Sequence, residues 1–341
     1  LLLPSGCASN GEAGPKVKER DASQRLVGIS YHTWFPPVHW NETWGRPVLG
    51  HYDSADEFTI RQHALWFLEA GVDFLILDWS NNLHAADSPE LQQIEAATQK
   101  VVDVYAGFDK GPKLAFLLGI DSDPANLENG ALQRKADQVY DTFIANPRYA
   151  KRMQTYKDKP LLLIYVGTPS PWQDRLPPWD DARFTVRWLT AFLSDQPELV
   201  SPQRECHLGY WSWWERTPQP YTVFEGRPEA MALTAAYTGP GGWKDDAARG
   251  RRDGQTFLEQ WLRVQQVDPE FVIINSWNEW YRAEEKDEEF SNDLEPSKDF
   301  QYLYHQLLQQ GIAAWKAMPT ATAAPTAQPT PAPAEDGTQK P

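Results

Sequence analysis

The chain has 341 residues, 41% of them hydrophobic, enough to bury the core of one large domain and too many for disorder to describe the whole. Its 32 basic and 47 acidic residues leave a formal charge of −15. A surface that acidic repels phosphate backbones, and no basic stripe interrupts it, so nucleic acid is excluded as a partner.

The first residues, "LLLPSGC", place the small residues Ser5 and Gly6 directly before Cys7. They look like the end of a hydrophobic signal segment and resemble a bacterial lipoprotein box. Cys7 is therefore the expected lipidation site, and contact with a membrane is expected only through that anchor. The expected location is extracytoplasmic, as a bacterial cell-surface lipoprotein or secreted protein. Residues 8–24 are polar and aperiodic, so 1–25 is predicted to be a signal remnant and disordered tether. Residues 318–341 are rich in Pro, Thr and Ala, cannot bury a core, and are predicted to form a disordered tail. The folded domain is expected over 26–317.

Within it, strand and helix patterns alternate. "VGISYHTW" (27–34) is β-branched and aromatic, hence a strand. Residues 56–71 carry apolar side chains at Ile60, Ala64, Phe67 and Leu68, a helical period closed by Gly71. "VDFLILDWS" (72–80) is a continuous apolar strand. A helix follows, with Ser88 as N-cap and Pro89 in the first turn. "PKLAFLLGID" (112–121) and "KPLLLIYVG" (159–167) are the third and fourth strands, with a helix at 131–145 between them. Strands at 183–192, 206–215, 229–242 and 270–280 complete eight, with a helix before the last and another from Asp299 to Trp315. Strands buried on both faces read as continuous apolar runs, and eight of them interleaved with helices predict a single (β/α)8 TIM barrel. The fifth and sixth units show no clear helix. An open doubly wound sheet is the alternative, but no Gly-rich turn follows the first strand to hold a dinucleotide.

In such a barrel the site lies at the C-terminal ends of the strands. Those ends hold His32 and Trp34, Asp78 and Trp79, Asp121, Tyr165, Trp211, Trp213, Trp214 and Glu215, Tyr237, and Asn278, Glu279 and Trp280. The chain has 16 tryptophans, and their gathering at one face favours ligand contact over simple core filling. Aromatic platforms with interspersed carboxylates suit sugars, which present apolar faces and hydroxyl edges. Glycoside cleavage normally uses two carboxyl groups. Glu279, at the end of a buried strand between two tryptophans, is placed to be one of them.

"YHTWFPP", "PVLGHYDSADEFTIRQHALWFLEAGVDFLILDW", "KPLLLIYVG", "SWNEW" and "LEPSKDFQYL" together resemble the glycoside hydrolase family 99/71-like group, which includes endo-α-mannosidases and WbsX-like proteins. The resemblance spans about residues 29–310. It implies a barrel that cleaves α-linked glycans, with Glu279 as a base acting on the substrate's own 2-hydroxyl. The family's acid sits three residues further on, where this chain has Arg282, and the "LEP" element comes late, so a loop is inserted. Glu284, Glu285, Glu288 and Glu289 in that loop, and Glu215 or Asp78 across the mouth, remain open as the acid. With the matching motifs added, the candidate substrate contacts are Tyr31, His32, Trp34, Tyr52, Asp78, Trp79, Asp121, Tyr165, Trp211, Trp213, Tyr237, Asn278, Trp280 and Glu295.

No cofactor is expected. Asp287, Glu288, Glu289, Asn292 and Asp293 bring oxygen ligands together, but without EF-hand spacing they are expected to form a solvated acidic loop. No His-x-x-x-His pair suggests zinc, and no metal is expected. Cys206 is expected to be a buried free thiol. The expectation is a monomeric glycoside hydrolase acting on an oligosaccharide or polysaccharide. A non-catalytic glycan-binding lipoprotein and, less favoured, a WbsX-like glycosyltransferase are the alternatives.

Overall fold

The computed structural model describes residues 25–36, 38–280 and 287–319. Cys7, Arg282, Glu284 and Glu285 lie outside the described residues, as do almost all of the expected tether and tail. The strands are β1 (Leu26–Tyr31), β2 (Phe74–Trp79), β3 (Lys113–Gly119), β4 (Thr155–Tyr156), β5 (Lys159–Tyr165), β6 (Thr185–Thr190), β7 (Glu205–Cys206), β8 (Trp211–Ser212), β9 (Tyr221–Phe224), β10 (Arg227–Leu233) and β11 (Phe271–Ile274). The helices are α1 (Glu57–Ala70), α2 (Pro89–Ala106), α3 (Ala125–Glu128), α4 (Ala131–Val139), α5 (Gln255–Val267) and α6 (Leu303–Lys316). Eight of the strands, in the predicted order, run parallel as β10-β11-β1-β2-β3-β5-β6-β8.

The sheet is not a closed eight-stranded barrel. It curls through 345° about its axis and stays open, its edges 8 Å apart. Two local features account for the gap. The predicted sixth strand orders only two residues, Trp211 and Ser212, as β8, too few to carry a ladder across to β10. The free side of β10 is instead taken by antiparallel β9, which pairs Phe224 with Arg227 and Thr222 with Ala230. No α-helix lies between β5 and β10, and loop residues such as Trp172, Leu193, Leu199 and Tyr210 cover the outside of that part of the curl instead.

The helices begin and end where the caps predict. Ser88 accepts a hydrogen bond from the Leu91 N–H at the start of α2. Gly71 ends α1 with φ +83°, a left-handed conformation that glycine adopts without a Cβ penalty.

The pleat sorts side chains into two cores. Phe74, Ile76, Leu117, Leu161, Leu163, Leu189, Trp211, Phe271 and Ile273 fill the inside of the curl. Their alternates, among them Val27, Ile29, Leu75, Leu77, Phe116, Leu162 and Ile164, pack outward in the core shared with the helices. Parity along each strand therefore decides which residue past its end enters the mouth.

Candidate active site

Continuing the inward parity past the apolar residues brings His32, Asp78, Tyr165, Ala191, Trp213 and Asn275 to the C-terminal mouth. All six line one cleft of about 300 Å3, with Trp34, Asn81, Phe192, Trp214 and Glu279 among the other walls. A second cavity of about 200 Å3 adjoins it, lined by Thr33, Val38, Asn82, Glu90, Leu91 and Ile94, and shares His32, Trp34, Asp78 and Asn81 with the first.

Glu279 is 9% exposed and tightly placed. Its backbone N–H donates to Asp293 Oδ1, its carbonyl accepts from Trp34 Nε1 at 3.1 Å, and its Oε2 accepts from Asn292 Nδ2 at 3.0 Å. Asp293 also accepts from the Trp280 N–H and from the hydroxyls of Ser276 and Ser291, so one buried carboxylate organises the whole turn. Burial and the nearby Glu279 charge push the Asp293 pKa above its ordinary value.

Asn278 ties this turn to β1: its Oδ1 accepts from the His32 N–H at 2.9 Å and its Nδ2 donates to the His32 carbonyl at 3.0 Å. The His32 ring is held by Asp78, with Nε2 2.9 Å from Oδ2, and stacks against Trp34 at 4.6 Å between centroids. Burial pushes the His32 pKa down. The hydrogen bond and charge of Asp78, with the charges of Glu279 and Asp293, outweigh that and raise it. For Asp78 burial works upward, but the hydrogen bonds and charge of His32, together with Ser80, carry its pKa below the ordinary carboxylate value. The cleft thus joins two carboxylates, a histidine whose pKa is raised, and aromatic walls.

Several predicted contacts stand behind the cleft instead of in it. Tyr31 has outward parity, and its hydroxyl meets His63 Nδ1 at 3.0 Å. Glu295, 1% exposed, accepts from Tyr52 Oη at 2.8 Å, Trp280 Nε1 at 2.6 Å and His63 Nε2 at 2.9 Å. These residues form a buried scaffold under the Asn-Glu-Trp turn, to which Gly45 also belongs, since a Cβ there would lie 2.2 Å from the Trp280 ring. Trp79, also of outward parity, donates from Nε1 to Thr98 Oγ1 within the helix-facing core. Trp211 lies inside the curl, its Nε1 bonded to Glu229. Tyr237 is buried, its backbone paired with Arg249. Asp121 sits in the loop after β3, 3.9 Å from His84, and does not line the cleft.

Glu215 is fully buried; its carboxylate accepts the backbone N–H groups of Leu193 and Ser194. Burial pushes its pKa up to about 8, yet both oxygens are turned to backbone and neither cavity includes it.

The inserted acidic segment is not a solvated loop. Asp287 is exposed and Glu289 half-buried, but Glu288, Asn292 and Asp293 are buried. The segment folds back because Arg251, itself buried, donates to the carbonyls of Ser291 and Asp293 and approaches Glu288 Oε1 at 3.3 Å. Asn292, which bonds the Glu279 carboxylate, carries no local sequence signal of that role. Asn275 does carry one, its inward parity after Phe271 and Ile273. Among the described residues no group of three or more His, Cys, Asp or Glu could hold a metal ion.

The fold is that of glycoside-hydrolase structures. The GH99 endo-α-mannosidase from Bacteroides thetaiotaomicron matches with TM-score 0.57 at 15% identity, over 87% of this chain and 98% of that one. The same enzyme in complex with bis-tris propane matches with TM-score 0.58 at 16% identity, over 85% and 97%. A glycoside hydrolase-like protein matches with TM-score 0.53 at 13% identity, over 88% and 97%. At these identities the likeness is one of fold. No sequence-family profile and no curated protein matches the chain.

Proposed function

We propose that the protein is a glycoside hydrolase of the family 99-like group that cleaves α-linked glycans of mannan or glucan type, with Glu279 as the catalytic base. The observation that carries this reading is the placement of Glu279: a nearly buried carboxylate, fixed through both its backbone and its Oε2, in an aromatic-walled cleft that also holds Asp78 and His32. Trp34, Tyr165, Trp213 and Trp214 give the cleft aromatic walls suited to a sugar, and Asn81 and Asn275 stand among them as polar residues. The shared fold supports the same reading.

The test is hydrolysis of a panel of α-mannans and α-glucans by wild type and Glu279→Gln. The variant is expected to lose about 10³-fold in kcat with its melting temperature unchanged. Undiminished hydrolysis would remove Glu279 from the mechanism. The second reading, a glycan-binding protein without catalysis, is favoured by Arg282 standing where the family's acid is expected. It predicts saturable glycan binding and no product. Extracytoplasmic anchoring through Cys7 is part of the proposal, and is tested by radiolabelled palmitate incorporation in a bacterial host, absent in Cys7→Ala.

A further inference from the structure

Cleavage at Glu279 needs a proton donor on the other side of the scissile bond, and neither Asp78, whose pKa is lowered, nor Glu215, whose oxygens cap a turn, supplies it. We propose that His32, held by Asp78, is the general acid that protonates the leaving glycosidic oxygen, with the bond to be broken lying between the two adjoining cavities. This rests on the glycoside-hydrolase reading and assigns the acid's role within the described cleft.

Three observations meet at His32. His32 belongs to the walls of both cavities, whereas Glu279 lines only the one of about 300 Å3. A sugar attacked with the help of Glu279 therefore sits in that cavity. The leaving sugar sits in the one of about 200 Å3, against Val38, Leu91 and Ile94, and His32 is at the junction. Second, Nε2 is engaged by Asp78 while Nδ1 is buried and has no hydrogen-bond partner. A buried ring nitrogen left unpaired costs about 1–3 kcal/mol, which a substrate oxygen would recover when that nitrogen carries its proton. Third, the residue is preorganised: Asn278 binds both its backbone N–H and its carbonyl, and Trp34 stacks on the ring while bonding the Glu279 carbonyl. A histidine so fixed by a carboxylate is the arrangement that lets an imidazole carry a proton to a defined atom.

The charged groups around it act in one direction. Asp78 from β2 and Glu279 and Asp293 from the segment after β11 all favour the imidazolium, and Glu90 of α2 lines the second cavity. In the step itself, the Nδ1 proton passes to the glycosidic oxygen as the C1–O bond breaks and its electron pair leaves with that oxygen. Glu279 takes the proton of the attacking oxygen, one water is consumed overall, and both groups exchange protons with solvent to reset.

The experiment compares wild type, His32→Gln and Glu279→Gln on α-linked oligosaccharides and on α-glycosyl fluorides of the same mono- and disaccharides, since fluoride departs without a proton. His32→Gln is expected to lower kcat on oligosaccharides by about 10²–10³-fold and on fluorides by less than about 10-fold. Glu279→Gln is expected to lower both. The alkaline limb of the wild-type pH profile should be present for oligosaccharides and absent for fluorides, and Asp78→Asn should shift it to lower pH. Equal losses of His32→Gln on the two substrates, or retained oligosaccharide cleavage, overturn the acid and leave the hydrolase reading standing. Wild-type protein that turns over neither substrate overturns both. Should His32→Gln fail to fold, a ¹⁵N imidazole titration of the wild type decides: a His32 pKa above the ordinary 6.5 is expected, and one below it overturns the assignment.

Discussion

The two ends of the curled sheet both bury charge, and they do so to different ends. At the N-terminal end Glu229, 2% exposed, accepts from Arg187 at 2.6 and 3.0 Å, from Tyr156 Oη at 2.9 Å and from Trp211 Nε1 at 2.7 Å. The hollow beside it measures about 520 Å3 and is the larger of the two. At the C-terminal end the cleft is about 300 Å3, and there His32 Nδ1 and Asn292 Oδ1 are buried without partners. Size alone would choose the N-terminal end. A saturated cluster stabilises the fold, while unsatisfied polar atoms beside a cavity mark where a ligand completes the network.

The sharpest way to break this contrast is Arg187→Met, which leaves Glu229 buried without its cation. A loss of about 3–5 kcal/mol in urea denaturation is expected, with glycan affinity of the remaining folded protein unchanged. Asp293→Ala at the other end strips the acceptor from two backbone N–H groups, the Trp44 indole and two hydroxyls around Glu279. About 1–3 kcal/mol of stability should be lost, and kcat should fall more than KM rises, because the turn carrying the proposed base loosens.

Glu215 sharpens the contrast through pH. Its folded pKa, about 8, lies above the ordinary 4.5, so the native state keeps a proton that the unfolded chain releases. Its contribution is fully present below about pH 4.5 and declines as pH rises towards 8. Glu215→Gln should flatten the fall in melting temperature over that window; an unchanged slope would place its origin elsewhere. The smallest expected effect is that of Asn292→Ala, which removes one hydrogen bond to the Glu279 carboxylate. About a 10-fold drop in kcat/KM, close to 1.4 kcal/mol, should appear with little change in melting temperature.

Glu215 also shows why a raised pKa does not by itself identify an acid. The group has the titration a proton donor needs, but its oxygens are spent on the Leu193 and Ser194 N–H groups. The strand ends teach a related lesson. Tyr31 and His32, like Asp78 and Trp79, are neighbours in sequence, yet only His32 and Asp78 line the cleft. The pleat sends successive residues to opposite faces, and the inward set was legible from the apolar residues two and four positions earlier. Gathering both members of each pair as substrate contacts ignored that alternation.

What the sequence determined by itself is local: eight apolar runs that become parallel strands and the caps at Ser88 and Gly71, whereas β11 ends at Ile274 and Glu279 lies in the turn beyond it. The runs and caps follow from periodicity, burial and backbone sterics within a few residues. What only the tertiary structure decided depends on partners far apart in the chain. The sheet stays open because β9 occupies an edge of β10 that two-residue β8 is too short to reach. Glu288, Asn292 and Asp293 are buried because Arg251 draws them in, and that is what brings Asn292 to Glu279. Edge pairing and charge neutralisation are satisfied by whichever group arrives in space, and spacing along the chain does not encode which one that will be.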